Sequence, residues 1–250
     1  MMDNILKVIF PMQPLASVEG QDLDTLMYLI HSLILVLFVG WAIYFIVVLV
    51  KFRASKNPKV QNVPHASNIS SVIEWGVAAL EFIILFAFSI PFWSVHIATL
   101  PTAKDVLEIK VVAQQFAWNV HYAGPDERFG KTSAKFLEDN PLGLDPDDPN
   151  GKDDITTMNQ IYVPVNKTVL IRLTSKDVIH SLGIPAMRVK QDIIPGVSTM
   201  VWFTPNKVGE FEIACSQLCG VGHYRMRGIL NVLPQADFDQ WIQTQKGIHD

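Results

Sequence analysis

The sequence predicts a membrane-anchored chain of class α + all-β, with a two-helix transmembrane hairpin first and an all-β sandwich or barrel after it. Three observations predict this. Two long apolar runs occupy most of the first hundred residues, at about 26–50 and 72–97. The link between them is basic. Beyond Pro101 the apolar residues fall into short segments rich in Val, Ile, Thr and aromatics, separated by Pro, Gly and Asn. The last is the pattern of strands and turns.

Residues 1–25, polar or mixed, form an N-terminal segment. The run "LMYLIHSLILVLFVGWAIYFIVVLV" that follows carries no formal charge. At about 1.5 Å per residue it exceeds the roughly 30 Å of bilayer hydrocarbon. Its long polar lead and the lack of a small-residue cleavage site argue against a signal peptide. The link 51–71 holds Lys51, Arg53, Lys56 and Lys59 and no acid, so the positive-inside rule puts it in the cytoplasm and both termini outside. The second run contains Glu74, Glu81 and Pro91, with Trp75 and Trp93 near its ends as interfacial aromatics. Glu74 and Glu81, seven apart, share a helix face. Carboxylates at that depth need protein or water, so the second span is expected to pack on another membrane protein.

The β region spans 104–234. Its segments are "VLEIKVVAQQFAWNVHY", "QIYVPV", "TVLIRLTS", "STMVWFTP", "GEFEIAC" and "GILNVLP". An acidic insertion, 124–159, interrupts them with nine acids against four bases, a net charge of −5. It reads as a solvated loop that could also steer a basic partner. Residues 235–250 form a C-terminal helix and tail, with Phe238 and Trp241 on one helix face as packing residues.

Net charge −4 and no clustered basic surface exclude a nucleic-acid binder. Both cysteines lie in "CSQLCGVGHYRM", which places Cys215, Cys219, His223 and Met226 at spacings of four, four and three. "DVIHSLGIPAM" supplies His180, 35 residues upstream. A disulfide across so short a loop adds little stability. A tetrahedral zinc site of Cys215, Cys219, His223 and His180 is one reading. Soft thiolate and thioether donors with imidazole favour copper, and Met226 in ligand register speaks for it. A single blue copper needs one thiolate, whereas two thiolates can bridge a pair of copper ions.

With two spans followed by "DVIHS", "VKQDIIPG" and "CSQLCGVGHYRM", the chain resembles subunit II of the haem–copper cytochrome c oxidases over nearly its whole length except the insertion. The resemblance implies a cupredoxin-like Greek-key β-barrel holding dinuclear copper, CuA. The implied ligands are His180, Cys215, Cys219, His223, Met226 and the backbone carbonyl of Gln217. The family usually has Glu at the position of Gln217, where the carboxylate helps hold magnesium at the interface with subunit I. The copper set is therefore implied intact and the magnesium site is in doubt. The family often has two tryptophans where this chain has Phe116 and Trp118, the first serving electron entry. Asp177 and Asp192 match acidic positions that dock cytochrome c. Glu74 resembles a carboxylate at the mouth of a proton-uptake path.

The implied activity is that of the electron-transfer subunit of an aerobic, proton-translocating terminal oxidase. Electrons pass from cytochrome c or an equivalent haem carrier through CuA to haem in subunit I, which reduces oxygen to water. The chain's own residues carry no oxygen chemistry. Subunit I, subunit III and membrane lipid are the implied partners, in a bacterial inner membrane with the copper domain on the periplasmic face. A quinol oxidase subunit lacks the copper ligands that this chain has. A membrane-anchored copper-delivery protein is the reading from another class.

Overall fold

The computed structural model describes residues 12–56, 68–98, 101, 106–138 and 140–245. Lys59 and the rest of 57–67, Asp139 of the insertion and residues 246–250 of the tail lie outside them. The chain forms two compact units: one comprises the long helices, and the other joins 13–21 to the residues from 101 onward.

In the helical unit, α1 (Gly20–Lys51) has 32 residues, about 48 Å at 1.5 Å each. It starts six residues before the apolar run. The apolar run thus marks the span but not the whole helix: the Ser17 hydroxyl, just before the first turn, accepts the Gly20 N–H at 3.2 Å, and Asp22 sits favourably in that turn. Hydrophobicity alone cannot see a polar first turn. Helix α2 (Asn68–Ile84) continues through a π-turn, Leu85–Ser89, into α3 (Ile90–Ala98). Pro91 accounts for the π-turn, because it has no N–H to give and its ring would strike the carbonyl of Ala87. Both α1 and the stretch Asn68–Ser94 are long and apolar enough to cross a membrane. Ser70 donates to Glu74 Oε1 at 3.0 Å, and Glu81 is exposed within this unit.

The β unit is a sandwich of two five-stranded sheets. The first contains β1 (Val106–Gln114), β2 (Ala117–Tyr122), β3 (Ile155–Met158), β5 (Thr168–Ser175) and β8 (Thr199–Phe203), in the order β3-β2-β1-β5-β8. The second contains β4 (Gln160–Pro164), β6 (His180–Ile184), β7 (Val189–Ile193), β9 (Gly209–Cys215) and β10 (Arg227–Leu233), in the order β4-β10-β9-β6-β7. β1 runs parallel to β5 and β10 parallel to β4, and the remaining pairs are antiparallel. Every second residue faces the core, as the strand period requires. Ile109, Val111 and Ala113 of β1, Val169, Ile171 and Leu173 of β5, and Leu230 and Val232 of β10 are all buried. Helix α4 (Gln235–Thr244) docks by stacking Trp241 on Tyr162, with centroids 4.5 Å apart, and by burying Phe238.

Three boundaries differ from the sequence expectation. "VLEIKVVAQQFAWNVHY" is two strands, with a turn at Gln115–Phe116 that pairs Gln114 with Ala117. β6 and β7 are short and separated by a Pro-initiated 3₁₀ turn, which hides their alternation. The insertion 124–159 is no solvated loop throughout. Its last residues form β3, and 124–154 folds over the outer face of the first sheet.

There Leu142 and Leu144 pack with Val112 in a second small core. His121 Nε2 meets Asp154 Oδ2 at 2.6 Å with both side chains buried, and the Gly130 N–H donates to the same oxygen at 2.8 Å. Asp148 is also buried and accepts from the Lys131 N–H. Two of the nine acids are therefore structural.

Residues 13–21 are stitched to the β unit. The Ala16 N–H donates to Ala186 O, the Val18 N–H to Thr204 O and the Asn206 N–H to Ala16 O. Ser17 Oγ donates to Met187 O, and Glu19 accepts the Thr204 N–H. Ala16 and Ser17 are fully buried.

Candidate metal centre

His180 opens β6, Cys215 closes β9, and the 216–226 loop returns to β10, so the second sheet carries all five candidate side chains. The loop is closed by the Cys215 N–H donating to Met226 O at 3.1 Å. A 3₁₀ turn, His223–Arg225, brings Met226 back under Cys219. The spacings of four, four and three thus become one cluster.

Cys215 Sγ and Cys219 Sγ are 3.8 Å apart and both cysteines are free. A disulfide needs about 2.05 Å. That reading is set aside. His180 Nδ1 is 4.0 Å from Cys215 Sγ, and His223 Nδ1 is 3.6 Å from Cys219 Sγ. Met226 Sδ is 3.7 Å from Cys219 Sγ, and Gln217 O is 3.2 Å from Cys215 Sγ. Each sulfur therefore has its own imidazole nitrogen and its own weaker donor.

His180, Cys215, Cys219 and Met226 are buried, and His223 is half-buried. Burial, reinforced by Cys215, pushes the Cys219 thiol up to about 11. Two thiolates side by side in such a place call for cationic compensation, which a bound metal provides as it displaces the protons. The donor set is soft and fits copper. Met226, a fifth side-chain donor, has no place in a tetrahedral zinc site.

Asp177 lies three residues before His180 and bonds its Nε2 through Oδ1 at 2.8 Å. With Nε2 as donor, Nδ1 presents its lone pair to the sulfurs, the usual arrangement around a metal-bound histidine. Burial works to raise the Asp177 pKa. Hydrogen bonds from the Gln115 N–H, from His180 and from the Val178 N–H outweigh it and hold the carboxyl below its ordinary value. Sequence reasoning placed Asp177 on a docking face and missed this contact, which the three-residue spacing from His180 could have suggested.

The two aromatics differ in placement. Trp118 is fully buried, with its ring centroid 6.4 Å from that of His180, so it lines the site and has no surface to offer a partner. Phe116 is half-buried and lies against the ligand loop. A Cβ on Gly222 would come within 2.4 Å of the Phe116 ring. Gly222→Ala is accordingly expected to displace that ring and destabilise the chain by about 1–3 kcal/mol, read from the denaturant midpoint. Asp192 is exposed on β7, 3.2 Å from Lys190. Glu74 belongs to the helical unit.

Comparison with known proteins gives the family of the chain. Residues 107–233 match the family described as cytochrome c oxidase subunit II, periplasmic domain. A probable cytochrome c oxidase subunit 2 of Rickettsia bellii is 33% identical over 242 residues, covering 94% of this chain and 84% of that one. An alternative cytochrome c oxidase subunit 2 of Bradyrhizobium diazoefficiens is 36% identical over 144 residues, 57% of this chain and 52% of that one. The alignment thus spans about half the length of the Bradyrhizobium relative. The crystal structure of the periplasmic domain of subunit II of cytochrome oxidase from Bradyrhizobium japonicum aligns at 34% identity, over 59% of this chain and 96% of that one, with a TM-score of 0.43. With a family match over residues 107–233 and a relative 33% identical over 94% of this chain and 84% of that one, the chain belongs to the cytochrome c oxidase subunit II family.

Proposed function

We propose that this chain is the electron-entry subunit of an aerobic terminal oxidase, taking electrons from cytochrome c or an equivalent haem carrier at a dinuclear copper centre and relaying them to haem in subunit I, where oxygen is reduced to water. One observation carries the reading: two free sulfurs 3.8 Å apart, each with an imidazole Nδ1 within 4.0 Å. Cys215, Cys219, His180 and His223 would hold the pair, with Met226 and the Gln217 carbonyl as weaker donors. When bound, the pair supplies a one-electron couple shared across both ions.

The chain's own residues prepare that site. Asp177 fixes the His180 ring, Trp118 shuts out water behind it, and the loop from Cys215 to Met226 holds its donors together before metal arrives. Asp177 and Asp192 are the proposed acidic contacts for the donor protein, with Phe116, against the ligand loop, as the apolar one. Glu74 is the proposed mouth of a proton path into subunit I, and subunit III and lipid complete the surroundings of the helices. The β unit would face the periplasm of a bacterial inner membrane, with link 51–71 in the cytoplasm. Gln217 offers no carboxylate for magnesium.

The test is metal analysis with optical and EPR spectroscopy on the full chain purified from membranes. A pair of copper ions, a purple colour, a mixed-valence signal split by both nuclei and co-purification with a haem-bearing subunit are expected. A single zinc without visible absorption would end the reading, and copper without haem would favour a delivery protein.

A further inference from the structure

All five candidate side-chain donors hang from the second sheet, yet the turn that touches both arms of the donor set belongs to the first. That turn joins β1 to β2. β1 is locked at this end to β5, where Ala113 pairs with Ser175 and its carbonyl accepts the Lys176 N–H at 3.0 Å. Gln115, at the turn, makes two bonds in opposite directions. Its backbone N–H donates to Asp177 Oδ2 at 2.7 Å, and the other oxygen of that carboxylate bonds His180 Nε2. Its side-chain Nε2–H donates to the Cys219 carbonyl at 2.7 Å. The next residue, Gly220, has φ +133°, and a Cβ there would come within 2.7 Å of Gln115 Nε2. The amide thus fills the space beside a residue that must be glycine.

Resting on the copper reading above, we propose that Gln115 is a positioning residue for the metal ligands: it ties the carboxylate that orients His180 to the backbone of Cys219 and so sets the two arms of the copper site relative to each other. The arms are separable. The backbone bond to Asp177 does not involve the side chain and is kept by any residue but proline, so removing the amide frees the Cys219 arm alone. Cys219 Sγ is the sulfur next to His223 and Met226, whereas Cys215 Sγ is next to His180. A freed Cys219 arm therefore displaces the donors on the His223 and Met226 side more than those beside His180. Gln115 is an exposed residue outside the hydrophobic core, so replacing its side chain removes no core packing.

The experiment uses the full chain in its oxidase, with Gln115→Met, which keeps the length and loses the donor, and Gln115→Lys, which returns an N–H donor. The methionine variant is expected to hold copper about 10- to 100-fold less tightly against a chelator, the range for losing a group that supports a metal ligand. Its EPR splitting should become unequal between the two nuclei, with a displaced reduction potential. The lysine variant should restore equal splitting and retention. Parental affinity, splitting and potential in the methionine variant would overturn the proposal, as would equal loss of copper from both variants. A parental chain without a copper pair would instead overturn the functional reading on which the proposal rests.

Discussion

Cys219→Ser is expected to leave a folded chain that has lost the proposed copper pair: the content falls from two ions to one or none, and the signal split by both nuclei disappears. Cys219 Sγ is the hub of the cluster, with Cys215 Sγ, Met226 Sδ and His223 Nδ1 between 3.6 and 3.8 Å away. A hydroxyl at that point is a harder, shorter donor that does not deprotonate readily at neutral pH, so it cannot bridge. Losing an outer partner of a ligand costs about 10- to 100-fold in affinity or activity, and losing a shared ligand costs more. Electron uptake by the assembled oxidase should fall by more than about a hundredfold. Serine is smaller than cysteine but similar in shape, so circular dichroism and thermal unfolding of the metal-free chain should change little. Retention of both copper ions by this variant would remove Cys219 from the site.

Asp154→Ala should act in the opposite way, on stability and not on the metal. His121 and Asp154 are both buried and 2.6 Å apart, and the Gly130 N–H shares the bonded oxygen. Removing the carboxylate strands an imidazole and an amide N–H together in a water-poor site. Stranding buried polar groups of this kind costs about 2–5 kcal/mol. The loss falls on the insertion, because Asp154 clasps the 124–154 segment to β2. The expected result is a lower denaturant midpoint, with new proteolytic cuts within 124–154, while the copper spectrum of the loaded chain stays parental. An unchanged midpoint with an uncut insertion would show that the clasp contributes nothing.

The two predictions differ in how much of their basis can be read from the linear sequence. The ligand loop is legible because four of its donors lie within twelve consecutive residues and a local turn folds them together. The helices are legible because a bilayer demands length, and the inward faces of β1, β5 and β10 because a strand repeats every two residues. The insertion is not. Its apolar residues are few, and the burial of Asp148 and Asp154 depends on partners that acquire meaning only once the sheet exists. Gln115 is hidden for a related reason: an exposed glutamine in a turn carries no pattern, and its partners Asp177 and Cys219 stand 62 and 104 residues away. The early start of α1 is illegible for another reason: a polar first turn and the serine before it add nothing to an apolar run.

The strap formed by 13–21 has a consequence for topology. Ala16 and Ser17 are sealed against Ala186, Met187 and residues 204–206, so residues 13–21 and the β unit must lie in the same aqueous compartment. Between them run α1 and the α2–α3 helix, so the chain must traverse the bilayer an even number of times, whichever leaflet the lysines prefer. A single-crossing insertion, with either helix left lying along the surface, would leave the strap on the wrong side of the lipid, and its bonds to Ala186, Met187, Thr204 and Asn206 could not form.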